Sequence, residues 1–297
     1  MSSAAVTYKG PVNTSATKVT IPATVTINGV TYKVTAVANS AFKGNKKIKS
    51  VKIGSNVTSI GASAFYGCTA LKTVTLGSRV TSVGTKAFYK CTALTTIKVP
   101  SSVTKIGTSA FEKCTALKTV TGCTGVTSVG SRAFYGDTKL TTVKGLTKTT
   151  KIGSSAFYKC SKLTQIGSKS KVVTLAKIKT IGDKAFCKCT ALKKVNLTST
   201  SLTTIGASAF QGCTALKTFV SKSTKLKSIG KKAFYGDKKL ASVTLKTKKL
   251  TSSNVKASAF KGIKSTCVFK VPSSKVSAYK KIFKNRGASS KITVKKG

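Results

Sequence analysis

The chain is organised by a recurring pattern of apolar positions. An Ala-Phe pair returns at nearly constant intervals, of which five are 23 residues long and the last four are 29, 24, 24 and 26 residues long. A period of this length indicates a repeat architecture in which each unit is one coil of a solenoid. We number the ten coils by their phenylalanines, which are Phe42, Phe65, Phe88, Phe111, Phe134, Phe157, Phe186, Phe210, Phe234 and Phe260.

Each coil contains the pattern of one short strand. In coil 2, Val74 and Leu76 alternate with Thr73 and Thr75, which is typical of a half-buried strand. So short a unit cannot bury its own apolar face, and the coils are expected to stack at about 4.8 Å per step in a right-handed, β-rich solenoid roughly 48 Å long. The six phenylalanines with an unbroken 23-residue period, Phe42 to Phe157, are predicted to form one continuous internal row, and the Ala-Phe pairs are expected on short helical or 3₁₀ turns. The glycine four residues before most of the phenylalanines marks a tight corner, where a Cβ would clash or φ is positive.

The pattern is absent from the two ends, which are expected to cap the stack. Residues 1–36 are predicted to be an N-terminal capping hairpin, in which strands at 25–27 and 32–34 flank the turn dipeptide Asn28-Gly29 and seal the first coil. The repeats occupy 37–263. Residues 264–297 are predicted to form a C-terminal cap with a helix after Pro272 between two strands. The 29-residue interval predicts a loop near 168–171.

The repeat unit resembles a known family. Residues 57–76 read V-T-x-I-G-x-x-A-F-x-x-C-T-x-L-K-x-V-x-L, which is similar to the BspA-like leucine-rich repeat, and the likeness extends roughly from Val37 to Ile263. The resemblance implies a leucine-rich-repeat solenoid. It also implies a protein that is secreted or displayed on the surface of a bacterium or parasite and takes part in adhesion. Members of the family differ widely in ligand, so no binding residue carries over.

The charge balance favours anionic partners. There are 54 basic and four acidic residues, which give a formal net charge of +50, and such a field attracts acidic glycans, cell-surface polymers, anionic membranes and nucleic acid. Only three basic residues are arginines, so any binding of nucleic acid is expected to be nonspecific. No run approaches the roughly 20 apolar residues of a membrane span. We expect an extracellular or cell-surface protein without membrane insertion, whose signal and anchor lie outside this sequence.

The candidate chemistry argues against catalysis. The chain lacks histidine, and its four acids, Glu112, Asp137, Asp183 and Asp237, fall in different coils, which excludes His-based nucleophilic catalysis and paired carboxylates. Six of nine cysteines share one column, three residues after the phenylalanine, with Asn45, Asp137 and Asp237. This interchange favours buried, reduced, unligated thiols over a zinc site or disulfides. Neither a metal nor a cofactor is expected.

Three exposed surfaces are candidates for binding. The outward strand positions form a ladder of hydroxyls and amines, which is either a solvated β face, a platform for glycans or proteins, or an ice-binding array that its lysines count against. A tyrosine stripe one residue after the phenylalanines either covers the coil edge or stacks on sugars or protein side chains. It comprises Tyr66, Tyr89, Tyr135, Tyr158 and Tyr235.

The third surface is a lysine patch, towards the C-terminal end. Residues 217–297 contain 23 of the 54 basic residues, which are either solvated for solubility or a site for an anionic partner. We predict a non-catalytic binding or adhesion protein for host proteins, glycans or anionic surfaces; the alternatives are a nonspecific nucleic-acid-binding protein and a structural spacer. The patch comprises Lys231, Lys232, Lys238, Lys239, Lys248, Lys249, Lys280, Lys281 and Lys284.

Overall fold

A computed structural model describes residues 4–167 and 171–297. The chain winds into a solenoid of about 12 turns with two sheets, one of 11 strands and one of 13 strands. Ten of these turns are the coils with a phenylalanine, and segments at the two ends supply the others. The loop predicted near 168–171 falls on residues 168–170, outside the described residues.

The elements are short. In chain order the strands are β1 Ala5–Tyr8, β2 Lys18–Ile21, β3 Thr24–Ile27, β4 Val30–Val37, β5 Ser50–Ile53, β6 Ser59–Ile60, β7 Thr73–Thr75, β8 Ser82–Val83, β9 Thr96–Lys98, β10 Lys105–Ile106, β11 Thr119–Thr121, β12 Ser128–Val129, β13 Thr142–Val143, β14 Lys151–Ile152, β15 Gln165–Ile166, β16 Val173–Thr174, β17 Thr180–Ile181, β18 Lys194–Leu197, β19 Thr204–Ile205, β20 Thr218–Ser221, β21 Ser228–Ile229, β22 Ser242–Leu245, β23 Val268–Val271 and β24 Thr293–Lys296. The 3₁₀ helices are Cys123–Gly125 and Ser273–Lys275, and the α-helix is α1, Val276–Asn285.

The prediction of one strand per coil is wrong, because most coils contribute a strand to each sheet. The predicted strands, such as β7, form the 13-stranded sheet. The Val-Thr-x-Ile segment supplies a second strand, such as β6, whose Ser59 and Ile60 pair in parallel with Ser82 and Val83 of the next coil. Two residues are too few to show an alternation, so the sequence indicates only a corner at this segment.

The predicted row from Phe42 to Phe157 is confirmed, and it continues through the remaining coils. From Phe42 to Phe260 the rings are buried and stack face to face, with centroids 4.9 to 5.6 Å apart and interplanar angles of 3° to 11°. The spacing is that of neighbouring strands, so the parallel pairing of the coils brings each ring directly over the preceding one. Alternating Val, Ile and Leu side chains of both sheets complete a continuous core.

The phenylalanine lies on the arc, the segment from the glycine to the leucine of each coil (Gly61 to Leu71 in coil 2). Each described arc is a run of turns and not a continuous helix. Turn bonds within a coil alternate with bonds between coils: Ala64 donates to the carbonyl of Gly61 (3.3 Å), and Phe65 donates to that of Ala87 (2.7 Å). The glycine has an ordinary φ, but a Cβ at Gly84 would lie 2.6 Å from the carbonyl oxygen of Ile60. Close approach of the coils therefore requires glycine there.

The two ends are covered in different ways. The hairpin is present, with β3 antiparallel to β4 and left-handed residues at Asn28 and Gly29, but its tip is exposed. The first coil is instead covered by the first turn of the solenoid, which contains β1 and β2. In this turn Tyr8 stacks on Phe42, with ring centroids 5.7 Å apart. At the other end α1 and β24 form the expected helix-strand cap, in which Phe283 packs on Phe260 at 5.1 Å.

Candidate binding surface

Three of the four acidic side chains are buried. Asp137 and Asp237 are fully buried and Glu112 is 2% exposed, whereas Asp183 is exposed and accepts a hydrogen bond from the amide of Ala207 at 2.7 Å. A single exposed side-chain carboxylate therefore faces 54 basic residues. The net charge is evident from the sequence but this segregation is not, and it makes the exterior almost purely cationic.

The lysine patch is divided among three places. Lys231, Lys232, Lys238 and Lys239 lie at the two ends of the arc of coil 9. Lys248 and Lys249 follow β22 at the outer corner, the segment that joins the 13-stranded sheet to the next coil, and Lys280, Lys281 and Lys284 lie on α1. All nine are exposed. The fold brings Lys238 and Lys239 together with Lys217 and Lys264 around a shallow concavity of about 370 Å³, but it does not gather all nine on one face.

The tyrosine stripe is half-buried and internally stacked. Tyr66 packs on Tyr89 with centroids 4.7 Å apart, and Tyr135 packs on Tyr158 at 4.8 Å. Basic groups lie over the rings, with the Nζ of Lys90 5.6 Å from the centroid of Tyr89 and comparable contacts at the other four. Because each paired ring has one face covered by its partner and a cation near it, the stripe presents mainly ring edges and hydroxyls. Flat stacking of sugars has little free ring surface here.

An ion pair fills the gap in this stripe where Glu112 replaces tyrosine. Both carboxylate oxygens of Glu112 accept from Arg132, at 2.9 and 2.5 Å. The guanidinium lies over the ring of Tyr135 at 4.0 Å, so the ion pair packs against the second tyrosine pair. Burial alone would raise the pKa of Glu112, but the hydrogen bonds and charge of Arg132 hold it below its ordinary value. Sequence reasoning missed this pair, whose only signal is a glutamate in a tyrosine column with an arginine 20 residues later.

The outward positions of the 13-stranded sheet do point outward. Thr73, Thr75, Thr96 and Lys98 are exposed, and the pairs are in register from coil to coil. Among the described residues this face contains no aromatic side chain. It offers a ladder of hydroxyls and amines.

The cysteine column is an internal hydrogen-bond ladder. All nine cysteines are buried, free thiols, which confirms the predicted burial of the column. In each of its six cysteine coils the thiol points to the phenylalanine carbonyl of the preceding coil, as Cys114 Sγ does to Phe88 O at 3.0 Å. The corresponding distances for Cys68, Cys91, Cys160, Cys189 and Cys213 are 3.0 to 3.1 Å. Burial raises the pKa of these thiols, so they are weak nucleophiles and weak metal ligands.

Two aspartates occupy the same column. Asp137 Oδ1 accepts from the amide of Cys114, and Asp237 Oδ1 accepts from that of Cys213, both at 2.8 Å. Neither Oδ2 has a hydrogen-bond partner among the described residues. Burial therefore raises the pKa of both carboxyls well above the ordinary value.

The described part of the chain offers no set of three or more His, Cys, Asp or Glu side chains placed to hold a metal ion. None of its helices is both long and apolar enough to span a bilayer. What this fold and its surfaces define is a leucine-rich-repeat solenoid with a cationic exterior.

The chain belongs to the family of the BspA type leucine rich repeat region. The family model, with six copies, matches residues 35–164 and 165–295. The chain is similar in structure to a leucine rich repeat protein of T. pallidum, with 25% identity over 71% of this chain and 82% of that chain and a TM-score of 0.50. It is also similar to a leucine rich cell surface protein of Faecalibacterium prausnitzii (25% identity, 98% and 90% covered, TM-score 0.45). No curated protein matches it.

Proposed function

We propose that this chain is a non-catalytic binding module of a secreted or surface-displayed protein, and that it adheres to anionic groups on host proteins, glycans or cell-surface polymers. Proteins of this family are typically surface proteins, which supports the location. The observation that carries the proposal is the segregation of charge, with one exposed side-chain carboxylate among 54 basic residues. A surface with so little internal neutralisation attracts polyanions over its whole length.

The three arginines all have partners within the chain, which favours binding through the point charges of lysines. Arg132 is engaged by Glu112, Arg286 donates to the carbonyls of Val255 and Ser252, and Arg79 donates to Asn56 at 3.2 Å. Apart from Arg79, which is exposed, the basic groups left to meet a partner are mainly lysines, which lack the planar fork that reads base edges or clamps carboxylates. Recognition of a polyanion by such a surface depends on charge density, and sequence-specific contact with nucleic acid is not expected.

Binding is proposed to be strongest towards the C-terminal end. The 23 basic residues of 217–297 share that segment with one acid, Asp237, which is buried and has a raised pKa. No acidic side chain is exposed within 217–297. The concavity lined by Lys217, Lys238, Lys239 and Lys264 joins two lysines of the proposed patch to two others of the same segment.

The test reverses four charges at each end. One variant carries Lys231→Glu, Lys232→Glu, Lys238→Glu and Lys239→Glu, and the matched control carries the same change at Lys46, Lys47, Lys49 and Lys52, which are also exposed. We expect the C-terminal variant to elute from a sulfated polysaccharide column at clearly lower salt than the control. Retention of the parent should fall steeply between about 50 and 200 mM salt, because counterion release drives this binding.

Each other outcome has a definite meaning. Equal losses in the two variants would show that net charge alone matters, and the localised site would be abandoned. Retention of the parent at low salt on duplex DNA but not on acidic polysaccharides would replace the adhesion proposal by nonspecific binding of nucleic acid. Absence of binding to all polyanions would leave a structural spacer as the better description.

A further inference from the structure

A second lysine-lined site lies at the outer corner of coils 5, 6 and 7. It is a pocket of about 420 Å³, formed where the chain leaves the 13-stranded sheet. None of the described residues that line it is acidic. The side chains on which the argument depends are Lys148, Lys177, Lys179, Thr198, Thr200 and Ser201.

The pocket results from a change in the length of the corner. Thr174 pairs with Asn196, and Ile181 pairs with Ile205, so the corner of coil 7 contains two more residues than that of coil 6. The longer corner must bulge beyond the shorter one beneath it. This leaves a recess between coils that elsewhere lie directly on each other.

The longer corner is held in place by a buried hydroxyl. Ser199 is 2% exposed, and its Oγ donates to the carbonyl of Ile178 in coil 6 at 2.7 Å and accepts from the amide of Ser201 at 3.1 Å. The corner is thereby tied to the coil below. The pocket is therefore part of the folded chain and does not have to be formed by a ligand.

The lining offers hydrogen-bond donors with no internal acceptors of opposite charge. The three lysines are exposed, and the hydroxyls of Thr198, Thr200 and Ser201 make no side-chain hydrogen bond within the described part of the chain. Three lysines around one concavity concentrate positive potential there. A ligand that accepts several hydrogen bonds and carries negative charge would satisfy these groups.

We propose that this pocket binds one tetrahedral oxyanion, a phosphate or sulfate group carried by an anionic polymer. A tetrahedral group directs oxygens in several directions and so matches donors that surround it. A carboxylate has two coplanar oxygens, which the fork of arginine fits best, and no arginine lines the pocket. This inference rests on the proposed function, since it assigns a particular anionic group and a particular recess to the proposed binding of polyanions.

The test uses inorganic phosphate and inorganic sulfate as probes, with acetate as the carboxylate control and ionic strength held constant with chloride. The amide signals of Thr198, Thr200 and Ser201 are followed by NMR in the full chain. We expect saturable shifts for phosphate and sulfate and none for acetate. In the variant Lys148→Gln, Lys177→Gln, Lys179→Gln the dissociation constant should rise about tenfold or more, because the charged hydrogen bonds to the anion are lost.

The control variant is Lys49→Gln, Lys72→Gln, Lys118→Gln, which removes three exposed lysines that line no described pocket. It should keep the affinity of the parent within about twofold, because salt at about 0.1 M screens exposed charges that lie more than about 10 Å apart. Shifts that do not saturate, or equal losses in the two variants, would overturn the inference.

Polymer retention separates this inference from the proposed function. If the small anions fail to bind while the parent is still retained on sulfated polysaccharide, the pocket is wrong and the proposed function stands. If the small anions bind as expected but no polymer is retained, the pocket stands and the proposed function fails. Columns of sulfated polysaccharide and of polyphosphate then show which source of the oxyanion the chain prefers.

Discussion

Coils 1 to 6 and coils 7 to 10 have the same core although their lengths differ. The first six phenylalanines follow a strict 23-residue period and stack at 4.9 to 5.3 Å. The later intervals vary from 24 to 29 residues, yet the stacking distance is 5.3 to 5.6 Å. Most extra residues are accommodated at the outer corners, and the 29-residue interval also adds a strand, because β15 and β16 of coil 6 both lie in the 13-stranded sheet. The fold therefore fixes its row of phenylalanines by register and tolerates variation in the rest of the coil.

The surfaces of the two regions differ accordingly. The tyrosine stripe lies mainly on coils 2 to 6, whereas in coils 7, 8 and 10 its column contains Cys187, Gln211 and Lys261. The later coils instead have longer corners, tied down by the buried hydroxyls of Ser199, Ser223 and Thr247. The anion pocket proposed above lies where the two regions meet.

The most destabilising substitutions test whether the cores of the two regions are equivalent. Phe134→Ala in the regular region and Phe210→Ala in the later one each remove a fully buried ring, which should lower the free energy of unfolding by about 3–5 kcal/mol. Phe210 also contacts the edge of Phe219 at 5.4 Å, which can partly fill the cavity, so its loss should lie near the lower limit. Urea denaturation followed by circular dichroism measures both. A loss at Phe210 below about half that at Phe134 would show a looser core in the later coils.

The sequence predicts the parts of the fold that depend on period. The phenylalanine row, the strands such as β7 and the helix-strand cap follow from spacing and alternation. The second sheet could not be found, because a two-residue strand such as β6 has no period. The sequence could not show that the lysine patch is divided among different sides of the coil. The order of residues along the chain does not fix the directions in which side chains such as Lys231 and Lys248 point from the solenoid. The lysine-lined pocket could not be predicted either. It results from a difference in corner length between coils 6 and 7, which is known only from the pairing of β16 with β18.

The next effect tests the two buried aspartates, one in each region. Asp137 and Asp237 have raised pKa values from burial, so they are neutral in the fold at pH values where they are ionised in the unfolded chain. Their contribution to stability is complete below the ordinary pKa of about 3.9 and is lost as pH rises towards the raised value. In that window each of the two carboxyl groups should lower the free energy of unfolding by up to about 1.4 kcal/mol for each pH unit of increase.

The matched probes are the substitutions Asp137→Asn and Asp237→Asn, singly and together. An amide accepts from the same backbone N–H and stays neutral, and Asn45 already occupies this column and accepts from the amides of Lys47 and Ile48. We expect the double variant to lose the decline in stability that begins above about pH 4 and to match the parent at the acid end. Glu112, whose pKa is lowered, acts in the opposite direction and is unchanged in both proteins. An unaltered pH profile would show that the aspartates are ionised in the fold.

A smaller effect tests the corner hydroxyls. Ser223 Oγ, buried in the later region, is 2.9 and 2.7 Å from the carbonyls of Thr200 and Leu202. Ser102 Oγ, half-buried in the regular region, is 2.7 and 2.6 Å from those of Ser78 and Val80. Ser223→Ala removes the hydroxyl from the buried carbonyl of Leu202 and should cost about 1–3 kcal/mol. Ser102→Ala should cost less, because water can replace the hydroxyl. Thermal denaturation ranks the two variants by stability. A larger loss of stability in Ser102→Ala would show that burial of the hydroxyl does not decide its contribution.

The smallest effect concerns the backbone two residues after the phenylalanine, which is left-handed in both regions. Coil 4 has Lys113 there with φ of 61°, and coil 9 has Gly236 with φ of 76°. Lys113→Gly relieves about 1–2 kcal/mol of left-handed strain but loosens the unfolded chain by about 0.5–1 kcal/mol, so it should stabilise the fold by at most about 1.5 kcal/mol. Gly236→Lys should have the opposite sign and similar size, because a Cβ at Gly236 meets nothing within 4 Å. Urea midpoints of the two reciprocal variants measure this. A cost of several kcal/mol for Gly236→Lys would mean that the arcs of the two regions are not interchangeable, and that the later coils differ from the regular ones in more than their corners.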